Sequence, residues 1–189
     1  MFSLLEISNY SIVSGGKMIA MQQLCKLAPN KGSIIEVGVW RGGIGLLFLN
    51  LFPSRTIWLA DTFTGIPFSD PKYDQCKTGE FNSAPVENVK KLFSHYPNVN
   101  ILQGIFPDAF MTALDKETFA VVHLDVDVYK SYTDGLAFLY PRTVKGGIIL
   151  LDDYAEGGCT GATLAVDEFL KKHNEKLQTF NGQSFFRRE

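Results

Sequence analysis

The sequence is poor in the residues that build disulfide frameworks and zinc sites. Its three cysteines, Cys25, Cys76 and Cys159, are far apart and form no C-x-x-C pair, and its three histidines are equally scattered. Such sparse usage favours reduced thiols in a cytoplasmic protein over a disulfide scaffold or a structural zinc site.

The chain also lacks a strong excess of one charge and any long apolar run. Its formal net charge is −2, which argues against a nucleic-acid partner. The apolar stretches are too short to cross a bilayer, and the opening MFSLLEIS does not resemble a signal peptide. With 46% apolar residues in 189, the composition predicts one globular domain over residues 1–189, with no membrane partner.

Strand-like and helix-like segments alternate along the chain. The predicted strands are Ser33–Gly38, Thr56–Asp61, Val99–Gln103, Phe119–Asp125 and Gly147–Asp153, followed by a hairpin of Leu177–Phe180 and Gln183–Arg187. The predicted helices are Lys17–Leu27, Gly43–Phe52, Pro85–His95, Asp108–Leu114, Tyr129–Leu139 and Gly161–His173. This order predicts a doubly wound α/β, Rossmann-like sheet of about seven strands, mostly parallel with a C-terminal antiparallel hairpin. Ligands of such sheets lie at the carboxyl ends of the strands.

Two pairs of carboxylates stand where apolar strands should end. Asp125 and Asp127 close VVHLDVDVY, and Asp152 and Asp153 close IILLDDY. Like charges held close together raise one another's pKa values unless a cation lies among them. Oxygen ligands suit hard ions, so the two pairs predict a site for Mg²⁺, or equally for Mn²⁺.

A glycine-rich turn and an acid predict the cofactor half of the site. Gly38 leaves the first strand, Gly42 and Gly43 open the next helix, and Asp61 ends the second strand. Glycines allow close backbone approach to a ligand, and an acid at this strand end can bind both ribose hydroxyls. The spacing is not the G-x-G-x-x-G of dinucleotide binding. An adenosine-containing cofactor other than a nicotinamide dinucleotide is therefore favoured.

Further residues extend this predicted cofactor site. Gln103 and Gly104, at the end of the third strand, should line its adenine side, and Asp125 is counted with the cofactor residues as well. Glu36 is unusual within an apolar strand, because a buried carboxylate is costly without a partner. Its expected partners are the cationic groups of the cofactor or Arg41.

Five long motifs occur in one order: EVGVWRGG, LADTFTGIP, HLDVDVYKSYTDGLAFLYPR, GGIILLDDY and GCTGATLAVDEF. Between about Ile34 and Phe169 the chain thereby resembles the macrocin O-methyltransferase family. The resemblance implies an enzyme that uses S-adenosyl-L-methionine and Mg²⁺ to methylate a hydroxyl of a sugar or a glycosylated small molecule. It also matches Asp125, Asp152 and Asp153 to the metal-binding aspartates of the family, and Asp127 to its general base.

The shape of the backbone limits that assignment. Residues two apart on a strand share a face, so Asp125 and Asp127 can both point into the cleft. Asp152 and Asp153 would point to opposite faces of a continuing strand. Both can therefore bind one ion only if the chain turns there.

Two rival functions stay open, and so does the question of what covers the cofactor and substrate. The rivals are a metal-dependent methyltransferase for catechol-like phenols and a non-catalytic scaffold that binds the cofactor. Family members carry a longer amino-terminal region, whereas here about thirty residues precede the first strand. The cover is expected from Asn9–Gly16 with the long Phe63–Ala84 loop, from a neighbouring subunit of a homo-oligomer, or from the substrate itself.

Overall fold

The computed structural model describes all residues, 1–189, and contains one seven-stranded sheet in the order β3-β2-β1-β4-β5-β7-β6. The strands are β1 (Ser33–Val37), β2 (Ile57–Asp61), β3 (Val99–Gln103), β4 (Phe119–Leu124), β5 (Thr143–Leu151), β6 (Gln178–Phe180) and β7 (Gln183–Arg187). The first five are parallel, and β7 pairs antiparallel with both β5 and β6. The predicted doubly wound sheet with its C-terminal hairpin is confirmed.

Six α-helices accompany the sheet: α1 (Leu4–Ser8), α2 (Gly15–Leu24), α3 (Gly43–Leu51), α4 (Val86–Phe93), α5 (Tyr129–Leu139) and α6 (Thr160–His173). The short α1 was not predicted from the sequence. The helix predicted at Asp108–Leu114 is wrong, because only a 3₁₀ turn over Asp108–Phe110 forms there. This short segment has no side-chain cap at its start to offset the cost of helix nucleation, whereas the still shorter α1 begins with a capping box of Ser3 and Glu6.

The sheet is covered on both faces by apolar packing. All six residues of β4 are buried, as expected of a central parallel strand. One core cluster joins the sheet to α2 and α3, and a second joins the opposite face to α5 and α6. Neither those helices nor any other is long and apolar enough to span a membrane.

The carboxyl ends of β1 and β4 approach each other unusually closely. Gly38, directly after β1, has φ of +89°, and a side chain there would collide with the backbone carbonyl of Asp125. Glycine is therefore required at this position, because it alone combines that backbone angle with so close an approach. The contact brings the glycine turn beside the first carboxylate pair.

The long loop between β2 and α4 is fastened to the same end of the sheet. Asp74 accepts a hydrogen bond from the backbone N–H of Tyr129 at 2.8 Å, which caps the start of α5. The ring of Tyr73 stacks on that of Tyr129 at 4.5 Å, and the Tyr73 carbonyl accepts a hydrogen bond from Thr160 at 2.8 Å. The loop is thus fixed to the starts of α5 and α6, at the carboxyl end of the sheet.

Candidate active site

A cleft of about 950 Å³, including its open mouth, lies at the carboxyl edge of the sheet. Its walls come from residues 36–40 at the end of β1 and just after it, residues 125–127 after β4, and residues 65–67 of the long loop. Residues 10–12, Asp61, Phe81 and Gly104 are also among the lining residues. Both segments expected to cover the site, 9–16 and 63–84, therefore contribute to its lining.

Asp61 holds the glycine turn in shape. One carboxylate oxygen accepts hydrogen bonds from the backbone N–H groups of Val39 at 2.7 Å and Trp40 at 2.8 Å. The other accepts one from Phe63 at 2.7 Å. Trp40 has a positive φ of 49°, which this double contact helps to maintain. Asp61 lines the cleft while fixing the turn, so a ligand role there would be additional to a structural one.

The predicted cofactor residues divide into those that line the cleft and those that do not. Those that line it are Glu36, Gly38, Asp61, Gly104 and Asp125. Gly42 instead makes room for the ring of Phe93, while the backbone N–H of Gly43 donates to the carbonyl of Tyr10 at 3.0 Å. These two glycines permit helix packing. Gln103 is exposed at the end of β3 and lies outside the cleft lining.

Glu36 is paired with His123, and the expectation of an Arg41 partner is wrong. The two residues are opposite each other in the β1–β4 register, and His123 Nδ1 lies 3.4 Å from Glu36 Oε1. Arg41 is exposed and its guanidinium lies 4.2 Å from the Trp40 ring centroid. Burial raises the pKa of Glu36, and the nearby imidazole only partly opposes that effect.

The polar row continues from His123 to Asp152 and Lys17. His123 Nε2 lies 3.9 Å from Asp152 Oδ1, and Lys17 Nζ lies 3.2 Å from Asp152 Oδ2. Burial by itself would lower the pKa of His123, but Asp152 and Glu36 outweigh it and raise the pKa to about 9. Burial opposes ionisation of Asp152, yet His123 and Lys17 hold its pKa below the ordinary value. Asp152 is therefore the carboxylate best compensated by cations.

The other carboxylates are crowded and poorly compensated. Burial raises the pKa of Asp125 well above its ordinary value, and the charges of Asp152 and Asp153 add to that effect. Burial likewise raises the pKa of Asp127 to about 8, with Asp153 and Asp152 contributing. Neither Asp125 nor Asp127 belongs to an ion pair. A cation bound among these carboxylates would offset their mutual repulsion, so the arrangement favours cation binding.

Asp153 holds the loop after β4 in place by hydrogen bonds. Its Oδ2 accepts hydrogen bonds from the backbone N–H groups of Val126 at 3.0 Å and Asp127 at 2.9 Å, and from the Tyr132 hydroxyl at 2.9 Å. Asp127 has a φ of +61°, in the left-handed region that few residues other than glycine, asparagine and aspartate adopt. The double backbone contact holds Asp127 in that conformation.

Of the three predicted metal ligands, the structure brings Asp125 and Asp152 together and leaves Asp153 outside their cluster. β5 ends at Leu151, after which Asp152 faces His123 and Lys17 while Asp153 faces Tyr132. Ligand atoms of His123, Asp125 and Asp152 lie within 4.8 Å of one another, and Asp153 is outside that cluster. The role of Asp153 as a metal ligand stays a prediction. Its Oδ1 takes no part in the hydrogen bonds to Val126, Asp127 and Tyr132, so this is the oxygen that could bind an ion.

Three contributors to the site escaped sequence analysis: Lys17, Tyr132 and, as a neighbour of the carboxylates, His123. The signal for His123 was its position two residues before Asp125, which places both side chains on one face of the strand. Lys17 carried no such signal, because a lysine near the start of a helix is ordinarily solvated. Here it is 7% exposed and also pairs with Glu156 at 2.7 Å.

Comparison with known sequences gives the same answer as the motifs. Residues 10–188 match the profile of the macrocin-O-methyltransferase (TylF) family. The chain is 34% identical over 157 residues to demethyldecarbamoylnovobiocin O-methyltransferase of Streptomyces niveus, covering 75% of this chain and 59% of that protein. It is 34% identical over 160 residues to mycinamicin III 3''-O-methyltransferase of Micromonospora griseorubida, with 75% and 61% covered. The chain thus spans about three-fifths of these relatives.

Solved structures share the fold. The O-methyltransferase NovP superposes with a TM-score of 0.81 at 28% identity, covering 95% of this chain and 82% of that one. The calicheamicin methyltransferase CalS11 superposes with a TM-score of 0.77 at 20% identity, covering 90% and 77%, which supports the fold alone. Because the family profile spans nearly the whole sequence, the chain belongs to the macrocin O-methyltransferase family.

Proposed function

We propose that this protein transfers a methyl group from S-adenosyl-L-methionine to a hydroxyl of a sugar or glycosylated small molecule, with Mg²⁺ as a required ion. The observation that carries the proposal is the cleft itself. One side is the glycine turn fixed by Asp61, and the other is the segment 125–127 after β4, where Asp125 adjoins the cluster that it forms with His123 and Asp152. The relatives are O-methyltransferases by name, one of them a mycinamicin III 3''-O-methyltransferase.

The donor set fits a hard divalent cation. Asp152 Oδ1 is buried and has no hydrogen-bond partner, and it lies in the cluster with Asp125. Carboxylate oxygens are the ligands that Mg²⁺ prefers, and a positive charge here would offset the repulsion that raises the pKa of Asp125. Asp125 and Asp152 would hold the ion, with Asp153 as a third candidate. When bound, Mg²⁺ supplies Lewis-acid polarisation of the acceptor hydroxyl.

The other half of the cleft fits a cationic cofactor. Glu36 lines it, and Glu36 Oε2 is buried without a hydrogen-bond partner. Such an oxygen is costly to bury unless a ligand satisfies it. The amino and sulfonium groups of S-adenosyl-L-methionine carry the complementary charge, and Asp61 and Gly104 would line the nucleoside.

Asp127 is positioned to take the proton of the acceptor. It lines the cleft between the two halves, and its backbone is fixed by Asp153. Burial and the charges of Asp153 and Asp152 raise the pKa of Asp127, and a cation bound among these carboxylates would lower it again and favour the ionised form that accepts a proton. Asp127 would therefore receive the hydroxyl proton as the oxygen attacks the methyl carbon.

The acceptor would rest against the apolar side of the cleft. Ile12, Ile66, Pro67 and Phe81 line that side, and they come from the two segments expected to cover the site. Flat apolar surfaces pack well against the faces of sugar rings and aglycones. The cytoplasmic location and any homo-oligomer stay predictions.

The proposal is tested by calorimetric titration of S-adenosyl-L-methionine into the purified protein, with Mg²⁺ or with chelator. We expect cofactor binding together with separate, chelator-sensitive Mg²⁺ binding. Methyl transfer should then be assayed on a panel of nucleotide sugars, glycosides and catechols. No cofactor binding would refute the proposal, and turnover confined to catechols would replace the sugar acceptor with a phenol.

Asp152→Ala should weaken Mg²⁺ binding by at least about tenfold, since it removes a charged ligand from the cluster. The affinity for S-adenosyl-L-methionine should change little, because Asp152 does not line the cofactor side of the cleft. Both constants can be read from the same calorimetric titration. Asp115→Ala is the matched control, because Asp115 is exposed in a turn preceding β4. Unchanged Mg²⁺ affinity in Asp152→Ala would remove Asp152 from the ligand set.

A further inference from the structure

A second group of ligand atoms lies beside the carboxylate cluster. The sulfur atoms of Cys76 and Cys159 and a carboxylate oxygen of Asp127 lie within 4.8 Å of one another. Cys76 belongs to the long loop after β2, Cys159 directly precedes α6, and Asp127 follows β4. Three separate segments thus converge on one point, which sequence spacing could not indicate.

The convergence is set by contacts that do not involve the sulfur atoms. The long loop is held to α5 by the hydrogen bond from Tyr129 to Asp74, and to α6 by that from Thr160 to Tyr73. Asp127 is held by its backbone contact with Asp153 at 2.9 Å. The group is therefore preorganised, and a metal ion would not need to order a flexible loop in order to bind.

The chemistry of this group differs from that of the carboxylate cluster. Two thiolates and one carboxylate suit a borderline ion such as Zn²⁺, which prefers sulfur ligands in a tetrahedral arrangement. Mg²⁺ avoids sulfur, so the two groups would select different ions. No ion pair reaches Asp127, so this carboxylate has no competing cationic side chain.

We propose that Cys76, Cys159 and Asp127 form a second metal site, selective for Zn²⁺ over Mg²⁺. The fourth position would be taken by water, since Asp153 Oδ1, 3.9 Å from Cys159 Sγ, is already a candidate ligand of Mg²⁺. Binding replaces the two thiol protons by the metal and releases them to solvent. No electrons are transferred, so neither an oxidant nor a reductant is required.

Occupation of the site would have a functional consequence. An ion bound to Asp127 removes the carboxylate that would otherwise accept the hydroxyl proton, so Zn²⁺ should inhibit methyl transfer. This consequence rests on the proposed function. The binding itself does not, because it requires neither cofactor nor acceptor.

The test uses Co²⁺, a spectroscopic substitute for Zn²⁺, titrated into the reduced protein in excess Mg²⁺. We expect one equivalent of Co²⁺ to produce a thiolate-to-cobalt charge-transfer absorption, which Zn²⁺ abolishes and Mg²⁺ does not. Cys76→Ser should reduce Co²⁺ affinity by at least about tenfold, since it removes one of the sulfur ligands. Cys25→Ala is the control, because Cys25 is buried in the core cluster on the opposite face of the sheet.

Several results would overturn the site. Absence of the charge-transfer band, or an unchanged Co²⁺ affinity in Cys76→Ser, would show that these thiols do not bind the metal together. Rapid loss of two thiols in air, with an intramolecular disulfide between Cys76 and Cys159, would identify a redox pair instead. Cys76 is half-buried, so Cys76→Ser carries the test if substitution of the more buried Cys159 prevents folding.

Discussion

Replacing Asp127 with asparagine should lower the rate of methyl transfer by about 10²- to 10⁴-fold, the range that a general base contributes. Binding of S-adenosyl-L-methionine and Mg²⁺ should persist, because the cofactor wall and the His123–Asp125–Asp152 cluster keep all their side chains. The measurement is single-turnover methyl transfer at saturating cofactor, with both affinities determined in parallel by calorimetry.

The substitution is conservative for the backbone. Asn tolerates a positive φ better than other non-glycine residues, so the angle of +61° at Asp127 is retained. The backbone N–H that donates to Asp153 is unchanged. Loss of turnover in Asp127→Asn would therefore reflect loss of the carboxylate and not local unfolding.

Asp115→Asn provides the matched control, since the same chemical change is made at an exposed turn that does not line the cleft. It should leave turnover unaltered. Wild-type turnover in Asp127→Asn would show that another group accepts the proton. Turnover lost together with Mg²⁺ binding would reassign Asp127 to the metal site.

Most of the fold could be predicted because its central strands are short, apolar and strongly patterned. β3 and α5 begin and end where the sequence placed them, and the two strands of the hairpin were placed to within a residue. Those segments owe their structure to local pattern and turn residues. The prediction failed at Asp108–Leu114, where a short amphipathic segment forms only a 3₁₀ turn and loose turns.

The site was predictable at strand ends and unpredictable wherever distant segments meet. Gly38, Asp61 and Asp125 stand directly at the ends of β1, β2 and β4, so topology alone brings them to the cleft. The burial of Lys17 against Asp152, 135 residues away, depends on how α2 packs against α3 and β7. No local pattern encodes such a contact.

Asp153 illustrates the same limit at closer range. Sequence alone gave it the same role as Asp152, since the two are adjacent and chemically identical. Their environments differ because β5 ends at Leu151 and the chain bends through Asp152 and Asp153. Asp152 therefore meets His123 and Lys17, whereas Asp153 meets Tyr132 and the backbone of Asp127.

Without metal, the crowded site should make folding stability fall as the pH rises from about 5 to 9. Asp127 has a pKa of about 8 in the folded protein against an ordinary value of 3.8. Between these values the folded state retains a proton that the unfolded state has lost, so stability declines with increasing pH. His123 acts in the same direction, because its pKa of about 9 exceeds the ordinary 6.5. The pKa of Asp152 is lowered instead, so this group changes folding stability only in more acidic solution.

Mg²⁺ should counteract this decline, since it binds the carboxylates only in their ionised form. One such group changes the free energy of unfolding by up to about 1.4 kcal/mol per pH unit, which is roughly 2–6 °C in Tm for a chain of this size. We therefore expect Mg²⁺ to raise Tm several degrees more at pH 8 than at pH 6, measured by circular dichroism against a chelator-treated sample. Asp127→Asn should flatten the pH dependence of the metal-free protein. An equal Mg²⁺ effect at both pH values would mean that the ion does not bind among these carboxylates, because binding elsewhere would not compete with their protons.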